Sequence, residues 1–135
     1  MYKRQAPNWI NACEQGRIAG ANMAGAEVTF AGSVAENITT LCGVSVAAVG
    51  VTRPDGDDPG LREVTYRDDE RGVYRKLLLQ DERLVGAVLL RDIGDVGVIR
   101  GAIVGGRAPG GSTRHFAAGP ARFADELVRR LYGGA

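Results

Sequence analysis

Few side chains in this sequence are of the types that do chemistry, and their spacing decides what each can do. Cys13 and Cys42 are the two cysteines, too far apart in sequence for a CxxC redox pair and too few for a disulfide framework or a metal site. Cys13 falls among small residues at helical spacing and Cys42 opens an apolar run, so both read as small buried hydrophobes rather than reactive thiols. His115, the single histidine, lies in a polar linker with no cysteine or carboxylate cluster beside it, which favours an exposed side chain over a general base or a metal ligand. Asp68, Asp69, Glu70 and Arg71 form a solvated turn rather than an acid/base pair. Asn37, Ile38 and Thr39 fit a glycosylation acceptor, but no secretory signal accompanies them.

Phosphate-binding loops are absent in the same sense. Gly105 to Gly111, GGRAPGG, follows a helical pattern rather than a strand, contains a proline and lacks the lysine of a P-loop, so it reads as a linker. No GxGxxG turn for a dinucleotide pyrophosphate and no acidic residue placed for an adenine ribose is found, so the chain is not expected to bind a dinucleotide by itself.

Composition narrows the classes further. The 135 residues include 17 basic and 16 acidic side chains and are 44% hydrophobic, which suits one domain with a modest core. Near-neutral charge leaves no electrostatic footprint for nucleic acid or an anionic membrane. No apolar run reaches a membrane span and no signal-peptide h-region is seen, so a cytoplasmic location is the default.

What chemistry remains must be positioned by the secondary structure. Asn8 to Gly25 reads as a helix with small residues Ala12, Gly16, Ala19, Gly20 and Ala24 on one stripe. Each interior glycine costs a helix roughly 1 kcal/mol relative to alanine, which makes sense where a large partner approaches the backbone closely. A short strand is expected at Glu27 to Phe30, then a connecting loop with extended character from Ser33 to Thr40. Val44 to Val51 is a continuous small, apolar strand, suited to cover on both faces or to a subunit contact. After the turn RPDGDDPG, strands follow at Leu61 to Arg67, Gly72 to Gln80 and Leu84 to Leu90. In the second of these, Val73, Leu77 and Leu79 share a face with Arg75 between them; the third is the most apolar and should be central.

Asp92 or Asp95 is placed to cap a helix with apolar positions Val96, Ile99, Ala102 and Ile103, ended by Gly105 and Gly106. Arg107 to Ser112 reads as a linker, and Pro120 starts a last helix with Phe123, Leu127, Val128 and Leu131 on its stripe. The expected fold is α+β: an N-terminal helix, an antiparallel β-meander of about four strands, and helices on one side.

Trp9, Ala12, Gln15, Gly16, Ala19, Gly20, Asn22, Met23 and Gly25 resemble the helix that follows the FAD-binding motif in FAD-dependent pyridine nucleotide-disulfide oxidoreductases. The resemblance is to the branch of NADH oxidases, coenzyme A disulfide reductases, rubredoxin reductase-like enzymes and the nitrite reductase large subunit. The segments GSVAENITTLCGVSVAAVG and YRKLLLQDERLVGAVLLRDIGDVGVIRGAIVGGR resemble the C-terminal interface domain of the same enzymes, so the likeness covers roughly residues 6 to 107. It implies that residues 6–32 close a truncated FAD-binding domain and that 33–135 form an interface domain for a homodimer. The parent would pass hydride from NAD(P)H through FAD to an acceptor, with the FAD and NAD domains upstream and the redox cysteine, where present, among them.

By that resemblance Trp9, Asn11 and Ala12 would be the flavin-side residues; the alternative is that Trp9 packs under the missing domain. The chain alone is expected to be inactive. A competing reading is a free-standing α+β interaction module. Met1 to Gln5, MYKRQ, matches the translation of GTGTATAAGAGACAG with GTG read as a start codon, a string resembling a transposon end used in sequencing libraries, so residues 1–5 are expected to be a non-native leader.

Overall fold

In a computed structural model, residues 9–53, 59–118 and 123–133 are described. The element order is α1 (Trp9–Met23), β1 (Glu36–Leu41), β2 (Val44–Gly50), β3 (Leu61–Asp68), β4 (Val73–Gln80), β5 (Arg83–Leu90), α2 (Val96–Val104), α3 (Ser112–Ala118) and α4 (Phe123–Tyr132). The strands form one antiparallel sheet in the order β1-β2-β5-β4-β3. The expected α+β class holds, with β5 central.

Among the described residues five strands stand where about four were expected, and the sheet is a hairpin docked on a meander. Two sequence readings account for the difference. Glu36 to Leu41, ENITTL, falls largely within the expected loop but pairs along its length with β2, from Glu36 opposite Val49 to Leu41 opposite Val44. Its polar sequence hides it, because an edge strand need bury little. Conversely, Glu27 to Phe30 forms no strand; with no ladder beside it, Val28 is instead held by Asn22, whose side chain accepts from the Val28 N–H at 2.8 Å and donates to its carbonyl at 2.9 Å.

Tight turns set the register. Cys42 and Gly43 both take positive φ, 50° and 78°, as a two-residue hairpin of the right twist requires. Asp81 and Glu82, at 49° and 62°, do the same between β4 and β5. Leu78 pairs with Gly86 but Leu79 with Leu84, so Val85 is an extra residue that forms a bulge. The bulge brings Leu84 onto the same face as Ala87, where both are buried in the core.

At the bulge the chain leaving β2 crosses β5 closely. The Val51 N–H donates to the Val85 carbonyl at 2.9 Å. A methyl group at Gly86 would lie 1.7 Å from the Val51 carbonyl oxygen, and one at Gly50 2.2 Å from that of Val85. Only glycines allow the two backbones to meet there.

The helices lie on one side, as expected. Ala47, Leu77, Leu79, Leu84, Ala87 and Leu89 of the sheet pack against Ile99 and Ala102 of α2, Phe116 of α3, and Phe123 and Leu127 of α4. Phe116 and Phe123 meet edge to face at 4.9 Å, tying α3 to α4. The expected last helix stands as α4, while Pro120, its expected start, lies outside the described residues; α3 is a further helix, in the polar stretch around His115 that reads as linker. Val128, placed on the buried stripe, is exposed, because contact with α2 and α3 is made by the Phe123 and Leu127 side of α4.

Candidate functional site

Trp9, Asn11 and Ala12 sit in the first turn of α1 but do not face one way. Trp9, 81% exposed, and Ala12 are turned outward, whereas Asn11 is buried. Asn11 and Ile18, two turns apart, are the buried residues of the helix, so the opposite side carries the small stripe. Among the described residues nothing beyond the helix's own backbone lies within 4 Å of where a Cβ would sit on Gly16 or Gly20; the stripe is open. The helix ends as expected at Gly25, whose φ of 93° lets the Ala26 N–H reach the Ala21 carbonyl and its own N–H reach that of Asn22.

Both cysteines correct the sequence reading. Cys13 and Cys42 are exposed, the first because, among the described residues, its side of α1 meets no other element and the second because it occupies a hairpin tip rather than a strand. The acidic turn is solvated as read, with Asp69 and Glu70 exposed and Asp68 accepting from the Arg71 N–H at 3.0 Å. The side chain of His115 lies outside the described residues. Among the described residues, no group of three or more His, Cys, Asp or Glu is arranged to hold a metal ion, and no helix is long and apolar enough to cross a membrane.

GGRAPGG runs back along the sheet. The Arg107 carbonyl accepts from the Leu84 N–H, and the Gly106 carbonyl accepts from Arg83 Nη1 at 2.8 Å. Beside it opens a groove of about 740 Å3, floored by Gly50, Val51 and Leu84 and walled by Val34 and Ile103, with Arg53 and Arg83 among its lining. A second hollow of about 510 Å3 separates Glu14 of α1 from Arg100 and Val104 of α2. α1 is therefore set against the body along a limited seam.

Arg75 stands on the core face of β4, where alternation along the strand puts it, and nothing in its sequence neighbourhood marks a role. Its side chain is 1% exposed and forms ion pairs with Asp95 and, at 3.4 Å, with Asp92. The guanidinium also lies over the Phe116 ring at 5.0 Å. Asp95 stands in the N-cap position of α2 without making a side-chain cap bond. The expected cap is overridden because a buried cation needs that carboxylate more than an accessible N–H does. One residue thus joins β4, the start of α2 and α3.

The geometry defines a small α+β domain that leaves a helix stripe open, and the sequence adds no nucleotide loop. Residues 36–106, from the start of β1 to the turn just beyond α2, match the family model of the rubredoxin NAD+ reductase C-terminal domain, and the chain belongs to that family. It is 31% identical over 83 residues to the nitrite reductase (NADH) large subunit of Escherichia coli (strain K12), covering 60% of this chain and 10% of that protein. It resembles the structure of an NAD-dependent persulfide reductase from A. fulgidus with a TM-score of 0.57 and 20% identity, over 73% of this chain and 21% of that one. The last likeness is one of fold. The chain spans about a tenth and a fifth of these relatives, and the resemblance to the C-terminal part of a pyridine nucleotide-disulfide oxidoreductase is borne out.

Proposed function

We propose that this chain serves as the interface domain of an FAD-dependent NAD(P)H oxidoreductase in which hydride passes from the nicotinamide through the flavin to an acceptor. The observation that carries the reading is α1: two glycines with open space around them and an exposed tryptophan, on a helix beside a domain of this family. In this role the helix docks on the flavin domain through its small stripe, and the domain joins two copies into a homodimer in the cytoplasm. Trp9 and Ala12 supply part of one wall of the flavin pocket. Asn11, being buried, holds the first turn in place rather than meeting the ring.

The residues described here do not make a complete FAD site: the sequence offers no glycine-rich cradle for the pyrophosphate, so the chain contributes no catalytic group and no turnover by itself. The test is docking in trans. Mixed with the FAD-binding domain of a pyridine nucleotide-disulfide oxidoreductase, the chain should bind and alter the flavin fluorescence. Failure to bind in titration calorimetry would favour a free-standing interaction module.

A further inference from the structure

The two edges of the sheet are treated differently. The β3 edge carries Arg62, Glu63, Arg67 and Asp68, each in an ion pair, and α3 packs along it. Such charges blunt an edge against pairing. The β1 edge has no lysine, arginine, proline or bulge, and its one acid, Glu36, is bound to Arg100 of α2 at 2.8 Å.

The direction of its backbone groups follows from the ladder. Leu41 and Val44 flank a two-residue turn and so form a hydrogen-bonded pair, and the Gly50 N–H donates to the Ala35 carbonyl at 2.7 Å. Odd-numbered residues of β1 therefore bond to β2, and Ile38 and Thr40 turn their N–H and C=O outward. Among the described residues nothing accepts or donates to them. Ile38 pairs with Ala47 on the helix-bearing face, yet it is 47% exposed at the rim.

We infer that a second copy of this chain pairs antiparallel with β1, each copy's Ile38 opposite the other's on a two-fold axis, merging the two sheets. This register matches outward groups with outward groups, so the two Ile38 residues exchange both N–H···O=C bonds. It also sets one half-exposed isoleucine against another, which a register shifted to pair Ile38 with Thr40 does not. Self-complementarity of this kind favours an identical strand over a foreign one. The inference rests on the self-association proposed above and names its contact.

Light scattering across a concentration series tests it on the 135-residue chain. The wild type should reach the dimer mass, with amide exchange at Ile38 and Thr40 slowing as concentration rises. Ile38→Pro removes only an outward N–H, which an edge strand tolerates, and Ile38→Lys adds a guarding charge while keeping that N–H. Either should give a monomer with an unchanged circular dichroism spectrum. A dimer that survives both variants overturns the edge contact, the more so if Val46→Asp on the open sheet face dissolves it. A wild type monomeric at every concentration overturns self-association itself, while docking to the flavin domain is read independently.

Discussion

Arg75 shows how far one residue can reach. Removing a single member of a buried ion pair costs about 3–5 kcal/mol because the survivor stays desolvated. Asp95→Ala should approach that loss in urea unfolding, since Arg75 is almost wholly enclosed. Arg75→Met should cost less: methionine refills much of the space, and the Asp95 carboxylate is left at the N-terminal end of α2, where the helix dipole favours it. Equal losses in the two variants would count against this asymmetry. Glycines supply a second contrast. Gly86→Ala drives a methyl into the Val51 carbonyl and should destabilise by at least the ~1–3 kcal/mol of ordinary overpacking. Gly16→Ala meets nothing and should stabilise by up to about 1 kcal/mol through helix propensity. Thermal melts of the two variants read the difference directly.

The elements divide into those that make the core and those that leave surface. β4 and β5 were legible because their apolar residues alternate or run together, and the Val96, Ile99, Ala102 and Ile103 spacing located α2. β1 was not, since an edge strand is recognised by the partner it pairs with rather than by its own hydrophobicity. α1 was legible as a helix from its spacing, and its uncovered stripe makes a prediction of its own. Gly16→Leu or Gly20→Leu should leave the chain folded, because both positions are open, while weakening its binding to an FAD-binding domain by tenfold or more. Unimpaired binding in calorimetry would remove the stripe from the docking surface. Val49→Asp is unsuitable as a probe of the apolar strand: Val49 faces the core at 1% exposure, and the substitution should unfold the domain. Val46, on the opposite side of β2, is the residue that reports on the open face.

At the scale of the molecule, the domain encloses the centre of its helix-bearing side and leaves Trp9, Ile10, Met23 and Leu41 exposed elsewhere and Ile38 exposed at the rim of that side. Exposed apolar side chains in that number mark contact surface more often than chance decoration when they lie on an open helix stripe and an unguarded edge. Removing α1 by starting the chain at Ser33 should therefore leave the sheet and its helices folded, with a cooperative unfolding transition, and should abolish binding to the FAD-binding domain. A truncated chain that loses its near-ultraviolet spectrum would make α1 part of the core instead.

The sequence alone determined the class of the fold, because periodicity and turn residues are local properties of the chain, and its family through the likeness of whole segments to known enzymes. Only the tertiary structure decided the fifth strand, the close approach of the backbones at Gly50 and Gly86, the additional helix α3 and the ion pairs of Arg75. It also turned Asn11 inward and both cysteines outward. Each of these depends on which distant residue lies alongside, and that is set by packing the whole sheet rather than by any window of sequence.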